Sequence, residues 1–154
     1  MYPKVSIIMN CFNGDKYLYD AINSIIIQKY ENWELIFWDN LSSDKSYEIF
    51  YKFKDSRLKY YKATKFTNLS EARNLAIAKS TGELVTFLDV DDIWSDNKLL
   101  IQVEYFLKNK FLLIYSNFFV KNEKKLKKKI YSYKKLPEGN ITQQLLNNYC
   151  VGLL

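Results

Sequence analysis

Residues 84–94 read Leu84-Val85-Thr86-Phe87-Leu88-Asp89-Val90-Asp91-Asp92-Ile93-Trp94, and the rest of the chain is organised around them. Leu84 to Leu88 is a short apolar run with β character, of the kind that forms a strand buried on both faces. It leads directly into three carboxylates within four positions, Asp89, Asp91 and Asp92. Like charges this close repel and raise one another's pKa unless a cation or hydrogen-bond donors compensate. Hard oxygen ligands favour Mg²⁺ or Mn²⁺ over Zn²⁺ as that cation. Asp89 and Asp91 lie two apart and face opposite ways in an extended chain. A turn at Val90 is therefore needed before both reach one ligand. The plainer reading is a polar loop in which Asp92 or Ser95 caps the next helix. A cap needs one Asp rather than three, which favours metal or phosphate chemistry.

Strand and helix patterns alternate on either side of this stretch. Lys4 to Met9 reads as a first strand, broken at Asn10-Cys11-Phe12-Asn13-Gly14. Leu18, Ala21, Ile22, Ile25 and Ile26 then follow helical spacing, with Asn13 or Asp15 near the cap. Trp33 to Trp38 is a second strand ending at Asp39-Asn40, and Ser42-Ser43-Asp44 opens a helix carrying Tyr47, Phe50 and Phe53. Leu58 to Tyr61 is a third strand. Ser70 is the expected cap of a helix with Ala72, Leu75 and Ala76 on one face, stopped by Gly82. After the central strand, Ser95 or Asp96 begins a helix with Leu99, Val103, Phe106 and Leu107, and Phe111 to Tyr115 reads as a fifth strand. The alternation predicts an α/β fold, a mainly parallel Rossmann-like sheet flanked by helices on both faces. Ligands of such sheets bind beyond the carboxyl ends of the strands. Asn10 to Asn13, Asp39 and Asp89 to Asp92 all fall there, after strands one, two and four.

The core reads as residues 1–116. Beyond it, Phe118-Phe119-Val120 and Ile130-Tyr131-Ser132-Tyr133 flank a lysine-rich centre and suggest a hairpin with a charged tip. Ile141 to Asn148 suggests a short helix with Leu145 and Leu146 inward. Residues 117–154 thus form a second region. The chain ends on Cys150-Val151-Gly152-Leu153-Leu154 with no finishing element, which reads as a truncated chain or as one part of a longer protein.

Composition excludes several function classes. The 154 residues are 48% hydrophobic and 26% charged, enough for one well-cored domain. There is no histidine, so a Ser-His or Cys-His nucleophile, an HExxH zinc site and a histidine base are all ruled out. Acid–base and metal chemistry falls to carboxylates. No apolar run approaches the roughly 20 residues that span a bilayer, no signal-peptide pattern opens the chain, and Cys11 and Cys150 lack CxxC spacing. A reducing, cytoplasmic setting is expected. The net charge of +6 is local: residues 121–135 hold eight lysines against Glu123, or +7, which leaves −1 for the remainder. Such a strip serves as a solvated edge that discourages strand pairing, or as an anion- or membrane-contacting surface.

Neither GxGxxG nor GxxxxGK[ST] is present, which argues against a dinucleotide oxidoreductase and a P-loop NTPase. An acidic, metal-holding rim better suits a diphosphate leaving group. Asp39 can accept hydrogen bonds from a base or ribose, or begin a turn. Arg73 suits a phosphate or a base carbonyl, and can equally pair with Glu71 or a rim Asp.

Four stretches in register resemble the family two glycosyltransferases. They are Val5-Ser6-Ile7-Ile8-Met9-Asn10-Cys11-Phe12-Asn13-Gly14, Trp38-Asp39-Asn40-Leu41-Ser42-Ser43-Asp44, Ala72-Arg73-Asn74 and Phe87-Leu88-Asp89-Val90-Asp91-Asp92. The resemblance implies a GT-A fold and inverting transfer from a nucleotide-sugar donor to a glycan or lipid-linked acceptor. By matching position, it places Asp39 on the nucleobase, Phe12 and Asn13 in the nucleotide pocket with Arg73 toward the nucleotide, and Asp89 on the ribose. Asp91 would hold Mn²⁺ or Mg²⁺ across the diphosphate, supported by Asp92. Asn10-Cys11 stands where the family often has Pro-Thr, and Asn40-Leu41 where it often has Asp-Gly. The family's downstream acidic general base has no match, since after Glu104 only Glu123 and Glu138 are acidic. The expectation is a donor-binding part that transfers poorly or not at all by itself. Its site is expected in the cytoplasm, with a peripheral contact at the inner membrane face where the acceptor is lipid-linked. No nucleic acid partner is expected. The competing readings are a nucleotidyltransferase and a non-catalytic module that binds anions or nucleic acid through the lysine strip.

Overall fold

The computed structural model describes residues 2–109, 113–121, 128–131 and 135–143. It divides after Asn109 into two compact units. The first is an α/β unit whose four strands are β1 (Val5–Cys11), β2 (Trp33–Asp39), β3 (Leu58–Lys62) and β4 (Leu84–Phe87). They pair in parallel in the order β3-β2-β1-β4. Helices α1 (Asp15–Ile26), α2 (Ser46–Phe50), α3 (Leu69–Ile77) and α4 (Lys98–Asn109) connect or follow them.

Period-two alternation along β1 and β2 divides the core into two layers. Val5, Ile7, Met9 and Cys11, with Leu35 and Phe37, pack against Leu18, Ile22 and Ile25 of α1, Phe50 of α2, and Leu99 and Val103 of α4. Ile8, Ile36 and Trp38 face Ala72 and Ala76 of α3 on the opposite side. The small alanines let α3 lie close to the sheet. Helices cover both faces, as the alternation of elements predicts.

The N-terminal ends of the strands are tied by one buried carboxylate. Glu34 on β2 accepts from Lys4 Nζ at 2.9 Å, Ser6 Oγ at 2.7 Å, Lys59 Nζ at 2.6 Å and the Thr81 amide at 2.6 Å. Beside it, Gly82 N donates to Ser6 Oγ at 2.8 Å.

The structure corrects several expectations. Among the described residues the strand at 84–87 has a partner strand on one side only, and it is half-exposed, with Val85 open to solvent. Its apolar run reflects β character rather than burial on both faces. Of the fifth strand expected at 111–115, residues 113–115 are not in a strand, and 111–112 lie outside the described residues. Helix α2 starts at Ser46 because Ser42 and Asp44 are engaged in the loop before it. Helix α4 starts at Lys98 rather than at Ser95 or Asp96. The cap of α3 is Asn68, whose side chain accepts from the Glu71 amide at 2.9 Å, rather than Ser70. That helix also ends at Ile77, before Gly82.

Gly82 is required by close approach instead. A Cβ there would lie 2.7 Å from Lys4 O, Ser6 N and Ser6 Oγ. Gly82→Ala is therefore expected to destabilise the fold by roughly 2–3 kcal/mol, as overpacking against unyielding backbone does. Urea unfolding checks this, and a change under about 0.5 kcal/mol, the range of an ordinary surface substitution, would contradict the close packing.

In the second unit, β5 (Phe119–Lys121) and β6 (Lys128–Ile130) pair antiparallel, the hairpin the sequence suggests. Phe118 and Tyr131 stack with centroids 4.4 Å apart, and Tyr115 OH donates to Pro137 O at 2.5 Å. The tip at 122–127 and the expected inward residues Leu145 and Leu146 lie outside the described residues.

Candidate functional site

The C-terminal ends of β1, β2 and β4 carry the residues singled out above. At the end of β1, Phe12 is exposed and Asn13 adopts the left-handed conformation at φ 54°. At the end of β2, Leu41 does the same at φ 67°. A glycine reaches positive φ without a Cβ penalty, and Leu41 bears that penalty here.

These two loops are laced together. Ser42 Oγ accepts from the Asn13 amide at 3.0 Å, and Asn13 Oδ1 accepts from the Ser43 amide at 2.9 Å. Ser46 Oγ accepts from the Gly14 amide at 3.1 Å, and Asp44 Oδ2 from the Asp15 amide at 2.8 Å. The first turn of α1 is thus capped from the β2 loop, across about thirty residues of sequence, and not by Asn13 or Asp15.

Asp39 is 1% exposed. Its Oδ1 accepts from the Ser42 amide at 2.7 Å, and its Oδ2 accepts from Tyr60 OH. Burial, reinforced by that bond to the carboxylate, pushes the Tyr60 phenol well above its usual range. Asp39 therefore shapes the loop after β2 from beneath.

A cleft of about 180 Å³ opens on the α3 side of this rim, lined by residues that include Asn10, Phe12, Asn40, Phe66 and Thr67. Phe12 and Phe66 meet edge to face with centroids 4.8 Å apart. Asn40 joins two walls, with Nδ2 donating to Thr67 O at 2.8 Å and Oδ1 accepting from Thr67 Oγ1 at 3.2 Å. The side-chain nitrogen Nδ2 of Asn10 is buried and has no hydrogen-bond partner among the described residues. Of the residues picked out from sequence, Phe12 lines this cleft, whereas Asn13 and Asp39 support its rim. Phe66 as a wall residue was missed: it comes from a loop that reaches the cleft from a distant part of the chain, and no local pattern marks it. Asn40 stands beside Asp39 in a stretch quoted above, and only the fold makes it a wall.

The acidic turn lies after β4. Asp92 N donates to Asp89 O at 3.1 Å and closes it. Arg73, one residue beyond cleft-lining Ala72, donates through Nη2 to Asp89 Oδ1 at 2.9 Å. The sequence left Arg73 open between a ligand, Glu71 and a rim Asp, and the structure pairs it with the rim Asp. Glu71 instead lies 3.7 Å from Lys65. Burial, followed by the charges of Asp91 and Asp89, pushes the Asp92 carboxyl up to about 6.

Among the described residues no three acidic, Cys or His side chains converge as a complete metal cage. The residues still fit a hard divalent ion. Asp91 and Asp92 are hard oxygen donors, and Asp92 is raised first by burial and then by the negative charge of Asp91 and Asp89, which a cation there would offset. Mg²⁺ and Mn²⁺ at phosphate sites are commonly held by one or two carboxylates, with substrate oxygens and water completing the shell.

The fold and rim define a class: an open parallel α/β sheet, of the kind whose ligands bind beyond the carboxyl ends of its strands. Comparison with known proteins narrows it. The family model "Glycosyl transferase family 2" matches residues 6–152, and the chain belongs to that family. It is 35% identical over 150 residues to WfgD of Escherichia coli, a UDP-Glc:alpha-D-GlcNAc-diphosphoundecaprenol beta-1,3-glucosyltransferase, covering 97% of this chain and 58% of that protein. It is 32% identical over 108 residues to TuaG of Bacillus subtilis, a putative teichuronic acid biosynthesis glycosyltransferase, covering 69% and 43% respectively. Among solved structures, S. aureus TarS 1–349 in complex with UDP matches with a TM-score of 0.67 and 25% identity, over 70% of this chain and 33% of that one. The same TarS region is also known with UDP-GlcNAc. The fold is thus GT-A, and the chain spans 58% or less of the length of the curated relatives just named.

Proposed function

We propose that this chain is the donor-binding part of an inverting glycosyltransferase that uses a UDP-sugar with Mn²⁺ or Mg²⁺ and a lipid-linked glycan acceptor. The acidic turn at residues 89–92, bound to Arg73 beside the cleft, carries this reading. The names of WfgD and the TarS complexes support uridine and a lipid diphosphate acceptor. The inner face of the cell membrane is the corresponding place of action. No helix among the described residues is long and apolar enough to cross a membrane, so attachment there would be peripheral as far as these residues go.

In this reading the uracil rests against Phe12 in the cleft, with Asp39 and Asn13 fixing the loops around it. Asp89 accepts the ribose hydroxyls while Arg73 holds its other oxygen. Asp91 and Asp92 would hold the cation, which neutralises charge developing on the departing diphosphate. The protein's own share is to orient the anomeric carbon toward the acceptor and to keep the diphosphate in one pose. Glu138, one of two acidic residues after Glu104, is exposed and paired with Lys135 at 2.5 Å. Glu123 lies outside the described residues, and neither glutamate is assigned the proton-accepting role.

Thermal unfolding with UDP, GDP, CDP or dTDP, with and without Mn²⁺, tests the proposal. At about 100 times its dissociation constant a ligand adds roughly 2.7 kcal/mol, a shift of several degrees for a domain of this size. UDP is expected to give that shift only with Mn²⁺, and Asp91→Asn to abolish it. An equal shift in Asp91→Asn, or none with any nucleotide in the wild type, would refute the reading.

A further inference from the structure

The sequence requires a turn at Val90, and the structure shows what sets it. Gly14, the residue before α1, has so little space that a Cβ there would lie 3.0 Å from Val90 Cγ2 and 3.3 Å from Val90 Cβ. The backbone at Gly14 has φ −104°, which any residue adopts. A Cβ here would make its neighbours give by a few tenths of an ångström, so glycine serves this position through space and not through conformation. Val90, between Asp89 and Asp91, packs into that space and joins the core on the α1 side of the sheet.

Both arms of the turn are anchored. On the incoming side Leu88 is buried, and its amide donates to Ile8 O at 3.1 Å. On the outgoing side Trp94 N donates to Ser24 Oγ at 3.2 Å. The buried Gln28 then fastens the chain twice more: Nε2 donates to Ser95 O at 2.6 Å, and Oε1 accepts from Leu99 N at 3.0 Å. A push on Val90 therefore cannot be relieved along the strand or through residues 94–99. It is absorbed by Asp89 to Ile93, the segment that carries the carboxylates.

We infer that the Gly14–Val90 contact is the positioning pair of the acidic turn. Resting on the reading above, the contact also sets the aim of Asp91 and Asp92 at a metal–diphosphate. Helix α1 is the platform: Gly14 at its N-cap seats Val90, and Ser24 near its end and Gln28 just beyond it hold the outgoing arm. Neither Gly14 nor Val90 touches the ligand in this arrangement.

Two readouts on the 154-residue chain test the inference. The first is the factor by which Mn²⁺ tightens UDP binding in calorimetric titration. Gly14→Ala should reduce that factor about tenfold, the low end of the effect that displaced supporting residues have on a metal site. Gly14→Ala combined with Val90→Ala removes the opposing methyls and should recover most of it. A general loss of stability predicts no such recovery, because the double variant carries one more core truncation. The second readout needs no ligand: hydrogen exchange of the Asp92 amide, which closes the turn on Asp89 O. Gly14→Ala should speed its exchange relative to the β1 amides, and the double variant should restore it. An unchanged Asp92 amide in Gly14→Ala overturns the inference, and so does a loss that Val90→Ala fails to repair, since the push would then run through Cys11 Sγ, also 3.0 Å away. If the wild type binds no UDP with Mn²⁺, the proposed function falls while the amide still decides the contact.

Discussion

Replacing Glu34 by glutamine is expected to remove about 3 kcal/mol of stability, the low end for breaking a buried ion pair. The carboxylate is 1% exposed and receives donors from Lys4, Ser6, Lys59 and Thr81. An amide in its place presents an NH₂ to groups that act here as donors, and leaves at least one of them without an acceptor. The two lysines are partly exposed and can turn to water, which keeps the expected loss at the low end.

The same residue sets an acid limit. Burial alone would raise the Glu34 carboxyl, but hydrogen bonds from Lys4, Lys59, Ser6 and the Thr81 amide outweigh it and hold it well below its ordinary 4.5. A folded-state pKa below the unfolded one means the contribution is complete above pH 4.5 and is lost as pH falls toward the folded value. Urea unfolding at about pH 7 and about pH 3, on either side of that ordinary carboxylate value, should show wild type losing more stability than Glu34→Gln over the interval. Equal losses would show that the network carries no net stabilisation.

Asp92→Asn is expected to act in the opposite direction on stability and against ligand binding. Burial, Asp91 and Asp89 raise Asp92 from 3.8 to about 6. A carboxyl whose folded pKa lies above its unfolded one destabilises the fold as pH rises from 3.8 to about 6, and the loss is complete above that window. About two pKa units correspond to about 2.7 kcal/mol at most, and solvent near the turn reduces the effect to roughly 1–2 kcal/mol. The asparagine variant should therefore be more stable than wild type at about pH 7.5 and nearly equal to it at about pH 4. It should also weaken Mn²⁺-dependent UDP binding. Wild-type metal binding should fall below about pH 6, where the proton competes for Asp92. A stabilised variant that retains full metal-dependent binding would remove Asp92 from the ligand set. Stability given up at a site that needs concentrated charge is a familiar exchange.

The rim was the most legible part of the molecule. Asp89, Asp91 and Asp92 end a β-like run, and that local signal survives folding because strand propensity and charge crowding are properties of neighbours in sequence. Asn13 and Asp39 were also found at strand ends, but their contacts to Ser43, Ser42 and Tyr60 were not legible. Glu34 passed unnoticed within the apolar β2, since its compensating donors come from residues 4, 6, 59 and 81. The same holds for Gln28, which looks like an ordinary polar residue after a helix until Ser95 and Leu99 arrive beside it.

What the sequence determined by itself was the order of elements, the parallel α/β architecture and the rim on which polar clusters meet. Those follow from periodicity, from strand propensity and from the geometry of right-handed crossovers. Only the tertiary structure decided that β4 is half-exposed, with one partner strand among the described residues, and that Arg73 is tied to Asp89. It also decided that α1 is capped from the β2 loop, and that Gly14 and Gly82 are there to let chains touch. Each of these depends on the distance between residues far apart in sequence, and packing at close range sets that distance where local pattern has no reach.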